Sequence, residues 1–339
     1  SDPLSRWAFQ KALARVTETP GSMVYGNTTI FVANQVENYA NLASYLLVDL
    51  AAQRVLPTGH ALNPVPVTEA LRIPTIDEIV DAHLFANRLA RRSEGFEELF
   101  EQQRVEAMAD RLVEGGRSFE RRVLEGLAEA GVDTGDPFEL LLSLRRLGAR
   151  RLEELWGPGE VQEGVARGRL PLVKATTVAA LEEQGQGVVS GLEPAHRALI
   201  GEARLAACVT CTDVHEYGKI LVEAVLRSVG VEVIDAGVSA DPGAVAERAR
   251  SAAADLVAVS TYSGIALSYI TELRQAMHRA GCEAPIFVGG KLNEVPDGSP
   301  SSLPEDVTRQ LEELGAVVCL QVEDMLDELV AMASEAARD

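Results

Sequence analysis

From residue 205 onward, short apolar runs alternate with stretches of helical period. The runs are Leu205–Thr210, Glu232–Ala236, Leu256–Ser260, Pro285–Val288 and Val317–Leu320. Their length and near-continuous apolar character suit strands covered on both faces. After the first comes Glu216–Val229, apolar at Ile220, Leu221, Ala224, Val225 and Val229 and stopped by Gly230. Helical stretches at Pro242–Ala254, Ser268–Ala280, Leu303–Leu314 and from Val322 to about 337 follow the other runs. Five strands each followed by a helix predict an α/β unit with a doubly wound, five-stranded parallel sheet of flavodoxin-like type. Right-handed crossovers make the strand order 2-1-3-4-5 the natural expectation.

The first 200 residues follow a different pattern and read mainly as helix. Gln35–Ala52 is apolar at Val36, Tyr39, Ala43, Leu46, Leu47 and Leu50, with no interior Gly or Pro. Ile76–Arg92 opens after Pro74 on a Thr75 N-cap, with acids in its first turn. From Phe96 to Leu155 the chain reads as charged helix broken at Gly115–Gly116, Gly131 and Gly135–Pro137. Met23–Phe31 and Leu56–Val67 are irregular and rich in Gly, Asn, Thr and Pro. A (β/α)8 barrel takes about 200–250 residues and eight strands. This region offers two strands at most.

The chain has 339 residues, about two domains' worth. Asp and Glu number 51 against 31 Lys and Arg, a net charge of -20, so nucleic-acid phosphates and anionic lipid surfaces are disfavoured partners. Neither a membrane-length apolar run nor a signal-peptide layout at Ser1–Arg6 is present, which predicts a cytoplasmic protein. Four cysteines do not make a disulfide scaffold. Cys208 and Cys211, three apart on a strand, are expected to point to opposite faces and to act as small buried side chains. His278 reads as solvated, and His83 and His196 have no evident partner in the sequence.

Ligands of open α/β sheets bind at the strand carboxyl ends, where neighbouring crossovers diverge. In the expected order this crevice lies between the first and third strands. The loops there carry Asp213-Val-His215-Glu216-Tyr-Gly218 and Ser260-Thr261-Tyr262-Ser263-Gly264, and the fourth strand ends in Gly289-Gly290. An imidazole with a carboxylate two residues away is a plausible metal ligand, since such histidines donate their second N–H to a carboxylate or carbonyl. Taken alone, the same residues also read as an Asp213 helix cap followed by a surface histidine.

Together, Asp213-x-His215-x-x-Gly218, Ser260 and Gly289-Gly290 resemble the cobalamin-binding domain of B12-dependent mutases and methyltransferases. The resemblance implies that His215 ligates cobalt in place of the cofactor's own benzimidazole, with Asp213 on the other ring nitrogen. It implies that Gly218 makes room for the displaced nucleotide tail, Ser260 hydrogen-bonds its base, and Gly289 and Gly290 line the pocket. Glu216, Thr261, Tyr262 and Gly264 are candidate neighbours of the cofactor. Ser260-Thr261-Tyr262 departs from the family's common Ser-x-Leu.

Of the classes that use this module, a DNA-binding regulator would need a basic recognition helix. A corrinoid methyl carrier usually has a shorter helical cap than the 200 residues here. The stretch Gly59-His60-Ala-Leu-Asn63-Pro64-Val-Pro66-Val-Thr68-Glu69, then Arg72-Ile-Pro74-Thr75, is similar to the last part of the barrel in glutamate (methylaspartate) mutase and related aminomutases. The expected organisation is therefore a barrel-like partial segment at 1–95, a helical region and linker at 96–197, and a cobalamin-binding domain at 198–339. The resemblance implies a subunit of an adenosylcobalamin-dependent radical mutase, an isomerase catalysing a 1,2-rearrangement of a small-molecule substrate. Its reaction begins with homolysis of the cobalt–carbon bond and hydrogen abstraction by the 5′-deoxyadenosyl radical. A second barrel-forming catalytic chain, or a homo-oligomer, would complete the enzyme. Asn27, Thr28, His60 and Asn63 are candidates to face the barrel mouth. Aminomutase relatives also use pyridoxal phosphate on a lysine Schiff base. Only Lys11, Lys174, Lys219 and Lys291 are available, and neither Lys219 nor Lys291 has a recognisable phosphate site beside it, so pyridoxal phosphate is not favoured. A pyridoxal-dependent aminomutase subunit and a corrinoid methyl carrier remain the alternatives.

Overall fold

A computed structural model describes residues 2–17, 23–24, 31, 34–59, 61–69, 74–161, 169–172, 176–295 and 304–338. The chain forms two compact units, residues 1–126 with 153–177 and residues 127–152 with 178–339.

The first unit contains α1 (Pro3–Val16), β1 (Met23–Val24), α2 (Gln35–Val55), β2 (Ala61–Leu62), α3 (Ile76–Arg92) and most of α4 (Gln102–Glu129). β1 and β2 pair in parallel, with α2 as the connection between them. The capping box of Thr75 and Glu78 starts α3 where the sequence places it. Trp7, Ala8 and Ala12 pack with Val48, Ala51, Ala52, Val105 and Ala109. α1 has no counterpart among the expected elements. Its buried face includes Arg6, Gln10 and Lys11, which interrupt the apolar period. Arg6 and Gln10 are satisfied by buried Asp49, at 2.6 Å from the Arg6 Nη2 and Gln10 Nε2 donors. α4 runs through Gly115 and Gly116, where a break is expected. A Cβ on Gly115 would lie 2.3 Å from Leu172 Cδ2, so this glycine permits close packing within a continuous helix.

The second unit begins within the α4 C-terminus and continues through the larger part of α5 (Pro137–Trp156) to Leu152. α6 (Thr176–Ser190) and α7 (Pro194–Ala203) then lead to β3 (Ala206–Cys211), α8 (Tyr217–Ser228), β4 (Glu232–Val238), α9 (Pro242–Ser251) and β5 (Leu256–Thr261). They are followed by α10 (Ala266–Ala280), β6 (Ile286–Gly290), the short pair β7 (Asn293–Glu294) and β8 (Glu305–Asp306), α11 (Thr308–Glu313), β9 (Val317–Cys319) and α12 (Val322–Ala336). The sheet is parallel in the order β4-β3-β5-β6-β9, the expected 2-1-3-4-5 arrangement.

Alternating strand residues feed two cores. Cys208, Val257, Val259 and Val288 pack with α9, α10 and α11, while Ala207, Val209, Ala258 and Phe287 pack with α7, α8 and α12. The helix expected over 303–314 is shorter: α11 starts at Thr308, whose N–H the Asp306 carboxylate accepts at 3.1 Å, and β8 precedes it. Among the described residues, no helix is long and apolar enough to cross a membrane.

Candidate functional site

The polar loops predicted from sequence converge at the carboxyl edge of the sheet. Thr212 N–H donates to Ser260 O at 3.0 Å, joining the ends of β3 and β5. Thr261 Oγ1 donates to Lys291 O at 2.7 Å and Lys291 N–H returns to Thr261 O at 2.9 Å, joining β5 to the chain after β6. Glu294, on β7, reaches back to accept the Leu267 N–H at the start of α10 at 2.9 Å. These cross-links hold three loops in a fixed relation.

Asp213 is nearly buried and accepts both the His215 backbone N–H at 2.7 Å and His215 Nδ1–H at 2.6 Å. An ionised carboxylate only accepts, so the proton is assigned to Nδ1 and Nε2 carries the lone pair. The His215 side chain is 54% exposed, so Nε2 is available to a ligand from outside. Burial pushes the Asp213 carboxyl up, but the Ser263 hydroxyl and the amide and ring of His215 outweigh it and hold it below its ordinary value. α8 begins at Tyr217 with no side-chain cap, so Asp213 serves the histidine and not the helix. The His215 ring lies 4.5 Å from that of Tyr262 at an interplanar angle of 33°. Lys291 Nζ sits 4.5 Å from the Tyr262 ring centre.

Beside this loop a cavity of about 300 Å³ opens between α8 and the ends of β5, β6 and β9. Gly218, Ser260, Gly289 and Gly290 all line it. Each glycine is required by a close approach. A Cβ on Gly218 would fall 2.3 Å from Ser260 Oγ, and one on Gly290, where φ is +101°, would fall 2.3 Å from Thr261 O. The floor is apolar, from Val222, Phe287 and Met325, and Gln184, Gln321 and Glu323 contribute polar groups. Sequence reasoning missed the α6 and α12 walls, whose residues carry no motif.

Other predicted site residues lie away from the cavity lining. Glu216 faces the kink of α5, where its carboxylate accepts the Arg150 N–H and burial raises its affinity for a proton. Gly264, at φ +74°, shapes the loop before α10 and packs against Val295. Lys219 is buried in an ion-pair network, 2.6 Å from Glu223 and 2.9 Å from Asp235. Burial alone would lower its ammonium, but the two carboxylates outweigh it and hold it above its ordinary value. Arg150 and Arg227 share Glu223, tying α5 to α8. Asn27, Thr28 and His60 lie outside the described residues. Asn63 is partly buried and its carbonyl accepts the Tyr45 hydroxyl at 3.0 Å. Cys208 and Cys211 are buried, and burial pushes both thiols up to about 12.

Among the described residues after position 204, the exposed large apolar side chains are Val214, Tyr217, Tyr262, Ile265, Val295 and Leu320. These six lie on loops or first turns that follow the sheet strands, with Tyr262 against the His215 ring and Leu320 lining the cavity. An apolar rim around a polar centre is the surface expected for docking a large, flat, partly apolar ligand.

Residues 204–330 match the B12 binding domain family. The chain is 26% identical over 190 residues to methionine synthase of Mycobacterium tuberculosis, covering 55% of this chain and 15% of that protein. It is 28% identical over 167 residues to ethylmalonyl-CoA mutase of Cereibacter sphaeroides, covering 49% of this chain and 22% of that protein. The chain thus spans less than a quarter of the length of either relative. A solved cobalamin-binding protein from Desulfitobacterium hafniense DCB-2 aligns over 49% of this chain and 81% of its own, with 19% identity and a TM-score of 0.30. By this match residues 204–330 form a B12-binding domain, and the chain is distantly related to methionine synthase and ethylmalonyl-CoA mutase.

Proposed function

We propose that this chain is the cobalamin-binding part of an adenosylcobalamin-dependent radical mutase of the glutamate mutase type, acting in the cytoplasm with a second barrel-forming chain. The site fits the cofactor on three counts. His215 offers Nε2 while Asp213 holds Nδ1. The glycine-lined cavity beside it has room for a nucleotide tail. The apolar rim suits the corrin. In this reading His215 is the cobalt ligand, Asp213 sets its tautomer, and Ser260, at the cavity mouth, holds the tail's base.

Adenosylcobalamin held by His215, Asp213 and the glycine-lined cavity would supply organic-radical chemistry. The protein's share is to orient the lower ligand, seat the tail and keep the rim dry. Lys219, committed to Glu223 and Asp235, is a poor Schiff-base lysine, which supports a carbon-skeleton rearrangement over a pyridoxal-dependent one. The observation that carries the mutase reading is the parallel β1/β2 pair joined through α2, the repeating piece of a (β/α)8 barrel.

A corrinoid methyl carrier is the second reading, favoured by the match to methionine synthase, which extends beyond the B12-binding segment. Affinity capture from the source cells, followed by electron paramagnetic resonance with adenosylcobalamin and candidate acids, separates the two. A radical mutase yields a co-purifying barrel chain and a substrate-dependent cobalt–radical signal. Methyl transfer from methylcobalamin to an acceptor, with no such signal, would replace the mutase reading.

A further inference from the structure

The Asp213 bond fixes one edge of the His215 imidazole but leaves its plane free to turn about that bond, and the ring stands half in solvent. A second contact restrains the plane: Tyr262 stacks on it at 4.5 Å and 33°. Tyr262 is itself held at its base. Thr261, beside it, is tied to Lys291 by two hydrogen bonds, and Gly264 O accepts the Val295 N–H at 2.9 Å. Lys291 Nζ, 4.5 Å from the ring centre, adds a cation on the aromatic. Lys291 is the only Lys or Arg on the described loops that follow the five sheet strands.

Resting on the B12 reading, we infer that Tyr262 is a positioning residue for the lower ligand, aligning the His215 ring so that Nε2 meets the cobalt, and that Lys291 steadies Tyr262. Its contribution is to the balance between histidine-ligated and unligated cofactor and not to the retention of the cofactor as a whole. The nucleotide tail, seated in the cavity, retains cofactor in either state.

The test is electron paramagnetic resonance of the full chain, grown with histidine labelled by the heavier nitrogen isotope and loaded with cob(II)alamin. Cobalt held by the histidine gives a doublet, cobalt held by the cofactor's own base a triplet, unligated cobalt neither, and only the doublet counts as ligated. In Tyr262→Leu the ratio of ligated to unligated cobalt is expected to fall about three- to ten-fold, the range an aromatic pair supports. Tyr262→Phe, which keeps the ring, stays within about two-fold of wild type, and Lys291→Met falls between them. Far-ultraviolet circular dichroism identifies a variant that fails to fold, in which case the Phe and Met variants decide. A Leu or Met variant with an unchanged ratio overturns the inference. So does one with a raised ratio, which would mean that Tyr262 competes with cobalt for the imidazole. Absence of the histidine doublet in the wild type would instead remove the His215 assignment on which the inference rests.

Discussion

Gly218 and Ser260 approach so closely that a single methyl on Gly218 would lie 2.3 Å from the Ser260 hydroxyl oxygen. Both residues line the cavity, so helix α8 and strand β5 meet at its mouth with no space to spare. The glycine of the first motif leaves room for the serine of the second. Gly218→Ala is expected to displace Ser260, cost about 1–3 kcal/mol of stability and weaken cobalamin binding at least about ten-fold. In Gly218→Ala with Ser260→Ala the remaining contact, to Ser260 Cβ, is an ordinary 3.5 Å. The double variant should therefore regain most of the lost stability, a coupling that denaturant titration of the four proteins would measure.

Lys219 neutralises two carboxylates beneath the site. Lys219→Met leaves them buried without it and is expected to cost about 3–5 kcal/mol in urea unfolding. Its ammonium is held above the ordinary 10.5, so the folded state binds this proton more tightly than the unfolded chain does. The stabilisation is then complete below that value and is lost as pH rises through the higher folded one. The wild-type to variant difference should stay level from about pH 6 to 10 and shrink only above that.

The Cys208, Cys211 and Cys319 thiols are all pushed up to about 12 by burial. At about pH 8 hardly any thiolate is present at these positions. A disulfide reagent applied to the native protein should label Cys282 alone, with the other three reacting after denaturation. Mass spectrometry of the labelled peptides checks this, and rapid native labelling of Cys208 or Cys211 would revive a redox role for the pair.

In the first unit Arg6 and Asp49 form a fully buried pair, with Gln10 as a further donor to the carboxylate. Asp49→Ala removes the carboxylate that pairs with the buried guanidinium and should cost about 3–5 kcal/mol. Arg6→Met with Asp49→Leu removes both charges and should recover much of that loss. Thermal denaturation of the two variants distinguishes a pair that stabilises the unit from one that is merely tolerated.

The sheet was legible because each strand is an apolar run bounded by Gly or polar residues, and buried parallel strands demand little else. His215, Asp213 and the glycines were legible because strand carboxyl ends are where an open sheet can hold a ligand. The far wall of the cavity was not. Val188, Val322 and Met325 come from helices distant in sequence, and their apolar side chains are indistinguishable from core. The Tyr262 stack on His215 depends on the relative placement of two loops, which no local period encodes. α1 was hidden for the opposite reason, since Arg6, Gln10 and Lys11 are buried by partners far along the chain.

In the proposed site His215 Nε2 binds the cobalt of cobalamin while Asp213 holds Nδ1. The most direct measurement is the cob(II)alamin resonance of protein grown with ordinary histidine and with histidine labelled by the heavier nitrogen isotope. Ligation by His215 predicts a nitrogen triplet that becomes a doublet on labelling and disappears in His215→Ala. A triplet unchanged by labelling would show that the cofactor's own base occupies the position, and would contradict the assignment.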